Sequence, residues 1–142
     1  MEKRSGGRPM AVLRPVVYDA GMLIAAERSQ VKVWRAHRAY LTAGGVPQVP
    51  APVVAQVWRD GARQARLAHL LKGCDVAVMD ETAAREVGEL LARAGTSDPV
   101  DGAVAVLAAW QEATIVTSDP DDIRQLLDRL GSRGKLVTVQ QV

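Results

Sequence analysis

Apolar residues along this chain fall in short runs, separated by longer stretches in which they recur every three or four positions. That is the signature of strands alternating with amphipathic helices. The run Arg14 to Tyr18 (RPVVY) predicts a buried strand ending at Asp19. Met22, Leu23, Ala25 and Ala26 mark a helix after it, and residues 31–42 (VKVWRAHRAYLT) a second, closed by Gly44-Gly45. Val46 to Val49 predicts a brief strand, and Pro50 and Pro52 lead into a helix carrying Val53, Val54, Val57 and Trp58. Gly61 separates this helix from another over 62–72, terminated by Gly73. Asp75 to Met79 (DVAVM) reads as a strand. Asp80 caps a helix whose apolar face holds Ala83, Val87, Leu90, Leu91 and Ala94, with Gly95 at its end. A helix over Pro99–Gln111, a strand over 114–117, a helix over 120–130 and a strand over 136–139 complete the pattern.

Such alternation predicts βαβ units. The expected fold class is α/β, with a central, mostly parallel sheet of about five short strands and helices on both faces. A length of 142 residues suits one domain. We expect it over residues 10–142, with residues 1–9 (MEKRSGGRP) a disordered extension because they are polar and contain glycine. No apolar run approaches the roughly 18 residues of a membrane span, and the basic opening lacks the apolar stretch of a signal peptide. The single cysteine, Cys74, forms no internal disulfide and reads as a small buried residue, which suits a cytoplasmic location.

Charge changes the picture little. The chain has 18 Lys and Arg against 16 Asp and Glu. Three of the basic residues (Lys3, Arg4, Arg8) and one acid (Glu2) lie in the first nine positions, leaving 15 of each sign in the body. Net charge therefore does not by itself demand a nucleic-acid partner.

The candidate chemistry lies in the acids. Parallel sheets gather ligands beyond the carboxyl ends of their strands, which directs attention to Asp19 and Asp119. Two segments also share a pattern: Ser97-Asp98-Pro99-Val100-Asp101 and Ser118-Asp119-Pro120-Asp121-Asp122. Each can be simply a helix start, with Asp at the N-cap, Pro first in the helix and an acid favourable to the dipole. However, Asp19, Asp101 and Asp119 are all predicted on one edge of the sheet, and clustered carboxylates repel unless cations compensate them. Hard oxygen donors suit Mg²⁺ or Mn²⁺, which at such a site polarises a phosphate and helps form hydroxide from water.

In this order, VVYDAGMLIAAE, VPAPVVAQVWR, DPVDGAVAVLA and IVTSDPDDI resemble the motifs of PIN domains, particularly VapC-like toxin ribonucleases of the actinobacterial type. The resemblance spans most of residues 14–139. Each motif is loose alone, and their order and spacing carry the match. It implies a PIN-like three-layer α/β/α fold and metal-dependent endoribonuclease activity, as in the toxin of a toxin–antitoxin pair. It further implies a homodimer and a small VapB-like antitoxin. Asp19 matches the first family acid, Asp101 the acid opening the later helix, Asp119 the acid after the fourth strand, and Thr117 the hydroxyl residue preceding it. Asp98 and Asp122 are auxiliary candidates. One position departs: Gln56 stands where the family has Glu, offering a carbonyl oxygen but no charge. Asp60, four residues on, is placed to compensate if the helix continues, although Gly61 argues for its end. Gly102 is a smaller departure, where Ala is common.

Arg59, Arg63 and Arg66 have helical spacing and, if the helix boundary at Gly61 does not rotate them apart, form a basic stripe for RNA or an acidic partner, or else an ordinary solvated face. His37 and His69 lack neighbouring ligands in the sequence and read as surface or partly buried residues. Trp34, Trp58 and Trp110 read as core or interface residues, with stacking on RNA bases as the alternative. No phosphate-loop, dinucleotide-binding or zinc-ligand spacing occurs. Two other functions compete with the nuclease. One is a weakened PIN module that binds RNA or protein, because Gln56 replaces an acid. The other is a phosphoacceptor receiver domain, which fits poorly because Tyr18 precedes Asp19 and Lys135 lies ahead of the last strand.

Overall fold

The protein is described here by a computed structural model covering residues 13–142. The expectation for residues 1–9 lies outside the described residues. Five short strands form one sheet: β1 (Val16–Tyr18), β2 (Gln48–Pro50), β3 (Asp75–Ala77), β4 (Thr114–Thr117) and β5 (Thr138–Gln141). Their spatial order is β3-β2-β1-β4-β5, and every pairing is parallel. The alternation of apolar runs with helical periodicity thus produced the architecture it predicts.

The helices are α1 (Ala20–Glu27), α2 (Val31–Thr42), α3 (Ala51–Val57), α4 (Ala65–Lys72), α5 (Glu81–Ala94), α6 (Pro99–Gln111), α7 (Pro120–Asp128) and α8 (Ser132–Lys135). At the centre of the sheet, Val17, Val49 and Ile115 are fully buried. Leu23, Leu67, Leu70, Leu90, Val104 and Ile123 close over them from the helices, and each such side chain contributes about 1.5–3 kcal/mol by leaving water. The helix α6 is buried along most of its length, which explains its apolar run over 103–110. Gly102 lies where α6 meets α5: an added Cβ would come 2.7 Å from Val87 Cγ1 and 3.2 Å from Leu91 Cδ2. The departure from Ala at this position is therefore matched by larger side chains on the facing helix.

Three boundaries differ from expectation, each for a local reason. The strand expected at 46–49 begins at Gln48, because Pro47 has no N–H to give the ladder. The last strand starts two residues late because residues 132–135 form α8. Gly134 permits this turn, since a Cβ there would fall 2.0 Å from the Leu127 carbonyl oxygen. The third helix stops at Val57, and Trp58 is already extended. Gln64 is the cause. Its buried Oε1 accepts the N–H groups of Arg59 at 2.7 Å and Asp60 at 3.0 Å, while Nε2 donates to the Val57 carbonyl at 2.9 Å and to Glu27 Oε1 at 3.1 Å. One side chain supplies the backbone partners that a longer helix would have supplied.

Candidate metal-binding carboxylate site

Parallel register sets the site. Tyr18 is paired with Val116, so the first residues beyond β1 and the end of β4 lie side by side at the carboxyl edge. Asp19 is the N-cap of α1, and its buried carboxylate accepts the Ala20 N–H through Oδ1 at 2.7 Å. Its other oxygen, Oδ2, accepts the Thr117 hydroxyl at 2.7 Å. That same Thr117 Oγ1 accepts the Asp119 N–H at 3.0 Å. Thr117, fully buried, thus ties the first acid to the backbone of the last.

The two Asp-Pro segments are not equivalent. Asp98 caps α6, with Oδ1 accepting from Val100 N–H at 2.9 Å and Asp101 N–H at 3.4 Å. Asp119 occupies the matching position before α7 but makes no side-chain capping bond. Its carboxylate instead shares a hydrogen bond with Asp122, which raises the Asp122 pKa together with the charge of Asp119. Asp101 is held protonated well above the ordinary range, its pKa pushed up to about 7. Burial is the main cause, followed by the charges of Asp98 and Asp19, a hydrogen bond with Asp98, and the charge of Asp122. Asp19, Asp98, Asp101, Asp119 and Asp122 therefore form one field of mutually interacting carboxyl groups.

Among the described residues no three His, Cys, Asp or Glu side chains are drawn together as closely as a preformed cation cage requires. The donor chemistry nevertheless fits a hard divalent cation. The set is all oxygen, Asp119 is not spent on capping, and the Asp101 carboxyl, raised first by burial, also feels the charges of Asp98 and Asp19, which a cation would offset. Asp19, Asp101 and Asp119 are the residues that would hold it.

Gln56 lies exposed on the last turn of α3, which packs against α1 and α6, the helices that begin at Asp19 and Asp98. Asp60 does not compensate for it. The end of α3 at Val57 removes Asp60 from that helical face; its Oδ1 accepts the Ala62 N–H at 3.0 Å and Oδ2 lies 3.7 Å from Arg63. The same boundary breaks the expected basic stripe. Arg59 follows the helix, Arg63 sits in a turn and Arg66 belongs to α4.

Some contacts had no signal in the sequence. Gly21 packs so closely on the loop after β4 that a Cβ would lie 2.1 Å from Ser118 Oγ and 2.8 Å from Ser118 N. His37, expected at or near the surface, is buried and bonded through Nδ1 to the Tyr18 hydroxyl at 2.8 Å. Burial lowers its pKa and raises that of Tyr18. Cys74 is half-buried, with Sγ 3.3 Å from the Leu70 carbonyl and a thiol pushed up to about 12 by burial, which disfavours the thiolate.

No family model matches the chain, and no curated protein matches it in sequence. Among solved structures, the crystal structure of VapBC2 from Rickettsia felis bound to a DNA fragment from their promoter is similar, with a TM-score of 0.68 at 13% identity. The match covers 89% of this chain and 98% of that one. The actinobacterial subtype finds no counterpart in that likeness, which is one of fold. No helix among the described residues is long and apolar enough to cross a membrane. The five-stranded parallel sheet between helical layers is the PIN-like α/β/α fold that the motifs imply.

Proposed function

We propose that this protein is a metal-dependent endoribonuclease of the VapC toxin type, formed by residues 10–142 as one PIN domain. The observation that carries the reading is the approach of Asp19 and Asp119 through Thr117, with Asp101 in the same carboxylate field. Asp19, Asp101 and Asp119 would bind Mg²⁺ or Mn²⁺, which when bound supplies charge stabilisation and acidifies water. Asp19 is oriented by Thr117, so its free lone pairs face a fixed direction. Asp101, with Asp19 and Asp119, would also position the attacking water. Asp98 positions Asp101 through its cap, and Asp122 positions Asp119.

A VapB-like antitoxin and cytoplasmic residence accompany this reading, supported by the likeness to a VapBC complex. A homodimer is supported by apolar residues exposed along the β3 edge, Val76 and Val78 (85% exposed), beside Trp110. A second reading has one observation in its favour. Gln56 removes a negative charge, and Asp60 does not restore it, which suits a weakened module that binds RNA or protein. Incubating the protein with RNA in Mg²⁺, Mn²⁺ or EDTA, beside Asp19→Asn, separates the two. Metal-dependent cleavage absent from the variant supports the nuclease.

A further inference from the structure

The charges of the body balance overall, but not locally. The helices α2 and α4 carry Lys32, Arg35, Arg38, Arg66 and Lys72 and contain no Asp or Glu. Between them runs a groove of about 400 Å³ lined by Trp34, Arg38, Arg66 and His69, with Ser29 and Val31 at its rim. No acidic residue lines it. Its aromatic floor is fixed. Trp34 Nε1 donates to the Ala26 carbonyl at 2.9 Å, His69 stacks on the indole at 5.7 Å between ring centres, and the Arg38 guanidinium lies 5.6 Å from the indole centre. The rim is equally defined. Ser29 holds φ at 61°, in the left-handed region disfavoured for residues with a Cβ, in the turn that joins α1 to α2.

We propose that this groove is a single-stranded RNA subsite, in which Arg38 and Arg66 take backbone phosphates and the Trp34–His69 pair takes a base. Aromatic surface, here the exposed His69 stacked on a half-buried Trp34, next to guanidinium groups is the combination that binds single strands with little sequence preference. An acidic peptide would use the two arginines but would leave the stacked aromatic pair without a role. The groove lies at the opposite end of α1 from the carboxylate site. Asp19 caps one end of α1 and Ser29 follows the other, a separation of about 12 Å along the helix. The need for such a subsite is electrostatic, because five neighbouring carboxyl groups repel a polyphosphate and a neutral body offers no general attraction. Of the three arginines expected to form a stripe, only Arg66 belongs here.

The identification of the ligand as RNA rests on the nuclease reading, and the test separates the two. Binding of a labelled RNA of about twelve nucleotides is measured by fluorescence anisotropy in EDTA, across salt concentrations, for the wild-type protein and Arg38→Ala/Arg66→Ala. The expected result is about tenfold weaker binding by the variant and a salt slope shallower by about 1.4, the loss of two single-strand phosphate contacts. Arg38→Lys/Arg66→Lys should recover the slope, and Arg59→Ala should match wild type. Circular dichroism checks that each variant is folded. Wild-type RNA affinity and salt slope in the double Ala variant would overturn the subsite, as would competition by an acidic peptide with no RNA binding. Groove-dependent binding without cleavage in any metal would retain the subsite and sink the nuclease. Cleavage by wild type, with unchanged binding and cleavage in the double Ala variant, would do the reverse.

Discussion

Thr117 donates its hydroxyl to Asp19 Oδ2 at 2.7 Å across the β1–β4 pairing, although the two residues are 98 positions apart in sequence. The same oxygen accepts the Asp119 N–H, so a single buried hydroxyl couples two acids from different loops. Replacing it leaves the buried Asp19 carboxylate without that partner and frees the Asp119 N–H. Thr117→Val should therefore cost about 1–3 kcal/mol of stability in urea unfolding. RNA cleavage should fall further than this loss explains, and Thr117→Ser should retain most of both. Equal activity in the Val and Ser variants would show that the hydroxyl does not orient the site.

Gly21 contributes by its absence of a side chain. Its φ is unremarkable, so space decides: a Cβ would overlap Ser118, the residue between Thr117 and Asp119. Gly21→Ala should push the loop after β4 outward, destabilise the protein by about 1–3 kcal/mol and weaken cleavage. Thermal unfolding and an RNase assay measure these together. A fully active, fully stable Ala variant would mean that the loop moves freely and does not define the carboxylate geometry.

The acids at strand ends were legible in the sequence because a parallel sheet converts the position after a strand into a position in space. Asp19 and Asp119 needed only the two apolar runs before them, and Asp101 only its helix start. What failed was decided by side chains from elsewhere. The roles of Asp60 and of the Arg59–Arg63–Arg66 stripe depended on a third helix running past Gly61; Gly61 signalled an end, but not that Gln64 would end the helix as early as Val57 through its own bonds. The burial of His37 depends on Tyr18, 19 residues away, and an isolated histidine in a basic helix gives no hint of it. The turn of α8 was hidden because Gly134 permits a backbone approach that only the packed chain requires.

The raised Asp101 pKa has a defined consequence for pH dependence. Its carboxyl is protonated in the folded protein up to about pH 7 but ionises near 3.8 when unfolded. At this group the unfolded state thus binds fewer protons between these values, so Asp101 contributes a fall in stability as pH rises from about 4 to about 7. Solvent screening of a half-exposed group limits the effect to about 1–2 kcal/mol. In EDTA, Asp101→Asn should flatten this slope and be the more stable protein at pH 8. A slope unchanged by the substitution would remove Asp101 from the carboxylate field.

The central claim is that these acids hold a divalent cation for RNA cleavage despite the amide at Gln56. Its most direct test is the cleavage rate against Mn²⁺ concentration for wild type and Gln56→Glu, with Asp19→Asn setting the background. The account predicts metal-dependent cleavage by wild type well above that background, and half-maximal cleavage at lower Mn²⁺ when the carboxylate is added. Cleavage by neither protein above the Asp19→Asn background, at any Mn²⁺ concentration and across diverse RNAs, would contradict it.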